Sequence, residues 1–162
     1  MTAPSTRRPT ARSLPIALLR AREQVMAPFR PLLAKAGVTE AQWRVLRVLE
    51  ENGRLDPTRT AQAACVLLPS LTRIVRDLET RALVRRVPHD SDRRTFWLET
   101  TEAARRLISD HVAESDALFA ELEARMGAAQ MTQLLDLLEV LQEADEGGGA
   151  PGTDQAVARP AD

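Results

Sequence analysis

Two short stretches, LVRRV (Leu83 to Val87) and FWLET (Phe96 to Thr100), have strand-like composition and face each other across PHDSDRRT, Pro88 to Thr95. Pro, Asp and Ser favour turns, so residues 83–100 are predicted to form one hairpin in an otherwise helical chain. What precedes the hairpin limits the fold further. Thr39 caps a helix, TEAQWRVLRVLEEN, that Gly53 stops. Asp56 with Pro57 behind it starts a short helix as N-cap and first residue. After the break CVLLP, Ser70 is placed to cap LTRIVRDLETRA, in which Leu71, Ile74, Val75 and Leu78 form one apolar stripe. The order is helix, tight turn, helix, hairpin.

Longer helices flank this unit. Ser13 can cap a helix reaching about Ala36, bent at Pro28 and Pro31 and ended by Gly37. Thr101 and Glu102 open a long helix with Ala104, Leu107, Ile108, Val112, Leu118, Phe119, Leu122 and Met126 on one side. A last helix carries Met131, Leu134, Leu135, Leu138 and Leu141. These wide apolar stripes have no sheet to cover, so a second copy of the chain is their expected cover. Residues 1–12 are expected to be a basic flexible arm and 147–162, GGGAPGTDQAVARPAD, a disordered tail.

The net charge of -1 hides a strong asymmetry. Residues 1–43 hold seven basic and two acidic side chains, and residues 44–94 hold eleven and seven. Residues 101–146 hold three and eleven. One end therefore attracts polyanions while the other repels them, which orients the chain on a nucleic acid. Hydrophobic residues make up 44% of the chain, without an apolar run near the roughly 18 residues of a membrane span. The start, MTAPSTRRPTAR, has no apolar core of an export signal, and the single Cys65 allows no internal disulfide, so a cytoplasmic location is expected.

A helix-turn-helix followed by a two-stranded hairpin is a winged helix, whose second helix enters the major groove while the hairpin tip flanks it. Ser70, Thr72, Arg73 and Arg76 lie in the N-terminal half of that helix and off its apolar stripe, so they are the expected contacts to base edges and phosphates. Arg76 could instead pair with Glu79. Arg93 and Arg94 at the hairpin tip can reach the adjacent minor groove, with Asp90 or Asp92 holding their guanidiniums in place. An ordinary solvated turn is the plainer alternative for DSDRR.

These phrases, PSLTRIVRDLE, ALVRR and DSDRRTFWLETTEA, resemble the multiple antibiotic resistance regulator (MarR) family of dimeric winged-helix proteins, over roughly residues 13–144. SLPIALLRARE, FRPLL, VTEAQWRVLRVL and ACVLLPSLT resemble the branch that represses homoprotocatechuate (hydroxyphenylacetate) degradation operons. Ala82 and Ala104 stand where the family usually has glycine, and Thr100 where it usually has leucine. The resemblance implies one winged-helix unit over 13–146, with a DNA-binding lobe about 39–100 and dimerisation helices about 13–36 and 101–146. It also implies an inverted-repeat operator and a pocket between these parts that takes a small aromatic acid.

Candidate ligand contacts follow from polar residues in apolar company. Arg22 has Leu18, Leu19, Val25 and Met26 at helical spacing, and an inward arginine needs an anion such as a ligand carboxylate. It could equally pair with an acid, for example Glu23 of a second copy. His111 interrupts its own stripe, where it is either a ligand contact or a satisfied core group; Arg20 sits one step off the stripe. Trp43 is expected in the core at the junction of the lobes, or as a pocket wall. Two other inputs stay open: oxidation of Cys65, which reads as a small buried residue, or an aromatic acyl thioester. Two histidines, one cysteine and no paired carboxylates supply neither a nucleophile and base constellation nor a metal set, so no enzyme, metal or cofactor is expected.

Overall fold

A computed structural model describes residue 10 and residues 13–89 and 95–146, with side chains to 143. The tail, most of the arm, and Asp90, Asp92, Arg93 and Arg94 of the hairpin tip lie outside the described residues. The order is α1 (Leu14–Met26), α2 (Phe29–Lys35), α3 (Glu40–Asn52), α4 (Pro57–Ala63), α5 (Leu68–Thr80), β1 (Val84–Pro88), β2 (Phe96–Thr100), α6 (Glu102–Met126) and α7 (Ala128–Glu146). Two compact units are distinguished, Met1–Ala120 and Glu121–Asp162.

The expected first helix is two helices. Pro28 offers no N–H to the preceding turn, and the chain breaks at Ala27 and Pro28 before α2 begins. Thr39 caps α3 in a reciprocal box: its hydroxyl accepts from the Gln42 backbone at 3.2 Å, and its own N–H donates to Gln42 Oε1 at 2.8 Å. Asp56 caps α4 through the Arg59 N–H at 3.0 Å. Ser70, by contrast, is not a cap. The helix α5 starts three residues earlier than expected, at Leu68, with Leu67 in the N-cap position and Pro69 in the first turn. A proline there removes only an N–H that has no helical partner, so it opens this helix where it was read as a break.

Three helix ends share one closing device. After α2, α4 and α5 the chain makes paired reverse hydrogen bonds: Val38 to Leu33 with Gly37 to Ala34, Val66 to Ala61 with Cys65 to Gln62, and Leu83 to Leu78 with Ala82 to Glu79. Each needs a left-handed residue at its centre. Gly37 (φ 67°) fits without cost, whereas Cys65 (φ 50°) and Ala82 (φ 54°) carry a Cβ into that region.

The hairpin pairs antiparallel with Val84 opposite Thr100 and Pro88 opposite Phe96. Leu55 adds one bridge on the other edge of β2, exchanging backbone bonds with Leu98 at 3.1 and 2.8 Å. Leu98 is fully buried and joins one core with Leu32, Leu46, Leu49, Leu71, Leu78 and Ala104. Thr100 is buried too, and its hydroxyl donates to Glu50 at 2.8 Å, which keeps a polar group in this place satisfied. Thr101 caps α6 through the Ala104 N–H and donates to Ala82 O at 2.6 Å, so the end of α5 is tied to the start of α6.

Glu99 sits beneath the hairpin between Arg54 of the α3–α4 turn and Arg85 of β1. The hydrogen bond from Arg54, with that from Arg85, holds its carboxyl below the usual carboxylate range, against burial, which pushes the other way. In the first unit α1 buries none of its residues, and in the second α7 exposes Leu134, Leu135, Leu137, Val140 and Leu141. Among the described residues no helix is long and apolar enough to cross a membrane.

Ala82→Gly and Cys65→Gly are each expected to raise unfolding stability by up to about 1 kcal/mol, as relief of left-handed strain outweighs the entropy of glycine; lower stability by thermal melting in both would refute the strain. Glu99→Gln is expected to destabilise at neutral pH by a modest amount, because both guanidiniums are more than half exposed. A depressed folded pKa contributes stability above the unfolded value that vanishes as pH falls through the folded one. The gap between wild type and variant should therefore close on acidification; a gap independent of pH would count against the ion pairs.

Candidate nucleic-acid interface

Helix α5 turns Leu71, Val75 and Leu78 into the core, which forces the residues between them outward. Thr72, Arg73 and Arg76 are accordingly exposed, and Ser70 is half-buried beside them. Neither arginine makes an ion pair among the described residues. Glu79, the expected intrahelical alternative for Arg76, is held by Arg86 at 3.0 Å instead. Thr72 donates its hydroxyl back to Leu68 O at 3.2 Å, so its oxygen can still accept a hydrogen bond. Two exposed cations on a helix face held by the core are suited to phosphates and guanine edges.

Sequence reasoning found this face but missed what fixes it. Gln42, already the partner in the Thr39 cap, also donates from Nε2 to Asp77 at 2.6 Å. The N-terminus of α3 is thereby tied to the exposed side of α5. Thr39, Gln42, Leu67, Ser70, Arg73 and Asp77 line a shallow depression of about 500 Å³ at this junction. At the hairpin, the Arg86 guanidinium lies 4.6 Å from the centre of the Phe96 ring, and His89 stacks on Trp97 at 4.5 Å. These contacts lie at the tip-ward ends of the two strands.

A second constellation occupies the junction of α1, α2 and α3. Arg22 does not enter the protomer's core; its side chain is 47% exposed and pairs with Glu40 and Glu23. Arg30 joins the same two acids, at 3.1 Å to Glu40 and 2.6 Å to Glu23. Within the single chain Arg22 is thus paired with acids of its own chain, Glu40 and Glu23, and not with an acid of a second copy as the sequence alternative had it. Burial pushes the Glu40 carboxyl up, yet hydrogen bonds from Arg30 and Arg22 and the charge of both outweigh it and hold it below its ordinary value. Glu40 was missed because its partners lie 10 and 18 residues away, beyond any local spacing rule. One turn further along α3, Trp43 packs half-buried against the core. Arg47 follows on that side of the helix, exposed and without an ion pair among the described residues. Arg20 is exposed on α1.

His111 is buried on α6 and donates from Nδ1 to Leu107 O at 2.8 Å, which satisfies one ring nitrogen within its own helix. Cys65 is exposed, contrary to expectation, because the left-handed turn between α4 and α5 swings it outward. Among the described residues no group of three His, Cys, Asp or Glu could hold a metal ion.

The MarR family pattern matches residues 38–96. The chain is 39% identical over 134 residues to the HTH-type transcriptional regulator FarR of Neisseria gonorrhoeae, covering 83% of this chain and 92% of FarR. It is 38% identical over 127 residues to the homoprotocatechuate degradative operon repressor of Escherichia coli, covering 78% and 86%. The crystal structure of NadR in complex with 4-hydroxyphenylacetate superposes with a TM-score of 0.74 at 38% identity, covering 87% of this chain and 97% of NadR. The exposed helix face, the paired strands behind it and these similarities together establish that the chain belongs to the MarR family of winged-helix transcriptional regulators.

Proposed function

We propose that the protein is a dimeric repressor of an aromatic-acid catabolic operon, released from an inverted-repeat operator by a small aromatic carboxylate. The observation that carries the DNA half is the pair of arginines, Arg73 and Arg76, without an ion pair among the described residues, on the exposed face of a helix whose other face is locked in the core. Ser70 and Thr72 supply phosphate or base contacts beside them, and Arg93 and Arg94 reach the minor groove from the hairpin tip, oriented by Asp90 and Asp92. A second copy covers the exposed Leu14, Leu18 and Leu19 of α1 and the apolar side of α7. Two-fold symmetry then places two α5 helices about one duplex turn apart. The reaction is binding alone, without catalysis or cofactor, in the cytoplasm where the operon lies.

The ligand half rests on the junction of α1, α2 and α3 and on similarity to NadR, whose structure holds 4-hydroxyphenylacetate. Trp43 offers an aromatic wall, Arg22 and Arg20 line the approach from α1, and His111 presents a ring from α6. Arg22 is already neutralised by Glu40 and Glu23, so a carboxylate must compete with them for its guanidinium. Arg47 needs no such exchange and strengthens the anion field on the same side of α3. A ligand that replaces the Arg22–Glu40 pair loosens α1 from α3 and biases the spacing of the reading helices. It releases DNA only to the extent that it prefers that geometry.

Arg73→Ala or Arg94→Ala is expected to weaken operator binding by about 1 to 3 kcal/mol while leaving the dimer intact; wild-type affinity in both would refute the placement. Calorimetry with phenylacetates and hydroxycinnamates should show at least tenfold weaker binding to Arg22→Ala, and unchanged affinity would remove the arginine from the ligand site.

A further inference from the structure

The start of α5 breaks local rules that the rest of the lobe obeys. Its N-cap is Leu67, a residue type disfavoured there, and no side chain caps the helix. Leu67 is also 77% exposed, and Leu68 next to it is 47% exposed. Among the described residues of the first unit, the other exposed large apolar side chains are Leu14, Leu18 and Leu19 on α1 and Phe119 on α6, helices that a second copy would cover. Leu67 and Leu68 lie elsewhere, at the tip of the helix that carries Arg73 and Arg76. The left-handed residue Cys65 (φ 50°) lies two positions before Leu67, in the turn that leads into this tip. Uncapped and exposed, this tip is costly to the fold, and such local conflicts mark positions kept for function.

The chemistry of the surroundings selects the occupant. Leu67 shares one depression with Ser70 and Arg73, so the apolar tip is continuous with groups suited to phosphates and base edges. In the major groove the first residues of a reading helix meet base edges, and the apolar group offered there is the C5-methyl of thymine. We propose that Leu67 and Leu68 are specificity-determining residues that seat against a thymine methyl in each half-site, adding apolar discrimination to the arginine contacts. The proposal rests on the DNA-binding reading above.

Replacing thymine by uracil deletes that methyl without altering base pairing. In a uracil scan of the bound promoter fragment, wild type should lose roughly fourfold in affinity at one position per half-site, and about fifteenfold when both are substituted. Leu67→Ser or Leu68→Ala should bind the thymine duplex more weakly and lose this sensitivity. Serine is a good N-cap, so Leu67→Ser should melt no lower than wild type, which separates a reading role from a structural one. Uracil that costs wild type nothing, or costs both variants as much as wild type, overturns the proposal while leaving the DNA-binding reading standing. A changed oligomeric state in Leu67→Ser would assign the leucines to a protein contact and overturn it as well. Absence of any promoter-specific binding by wild type would instead overturn the DNA-binding reading, and the proposal with it.

Discussion

The burial of Leu71, Val75 and Leu78 against Leu46 and Leu49 is the constraint on which the functional surface depends. A helix with one side locked into a close-packed core cannot rotate, so the direction of every other side chain on it is decided. Thr72, Arg73 and Arg76 face outward for that reason. The same packing sets the hairpin, because Leu98 of β2 belongs to the same cluster and its backbone is held from both edges. Helix α5 and the hairpin are thus packed into one core.

Polar ties then connect this body to the N-terminal helices. Gln42 closes the cap of α3 and reaches Asp77 of α5, while Glu40, two residues earlier, takes Arg22 and Arg30 from α1 and α2. The first turn of α3 is therefore shared by the arginine cluster and the exposed side of α5. Under the proposed function this turn is the shortest physical route from a bound carboxylate to the spacing of two operator contacts. The coupling needs no long chain of residues, only exchange of an ion pair at one helix start.

Helix caps at Thr39 and Asp56, the stop at Gly53, the two strands of the hairpin, and the outward set on α5 were legible because each obeys a rule acting within a few residues. Ser70 as a cap failed where two local signals competed: a proline can end a chain segment or open a helix, and only packing of Leu71 and Leu78 decides. Cys65 was misplaced because its left-handed backbone comes from the reverse hydrogen bonds of the turn, which residue type does not announce. Glu40 and Glu99 were invisible for a different reason. Their partners are brought by the fold from distant segments, and a glutamate on a helix or strand looks like solvent-facing charge until those segments meet.

The central claim is that two copies hold two α5 helices at one separation that matches an inverted repeat. It is tested most directly by inserting five base pairs between the half-sites of the bound promoter, which turns them to opposite sides of the duplex. Binding measured at moderate salt should fall to that of unrelated DNA. Undiminished affinity for the lengthened site would mean that the copies read DNA independently, and would contradict the account.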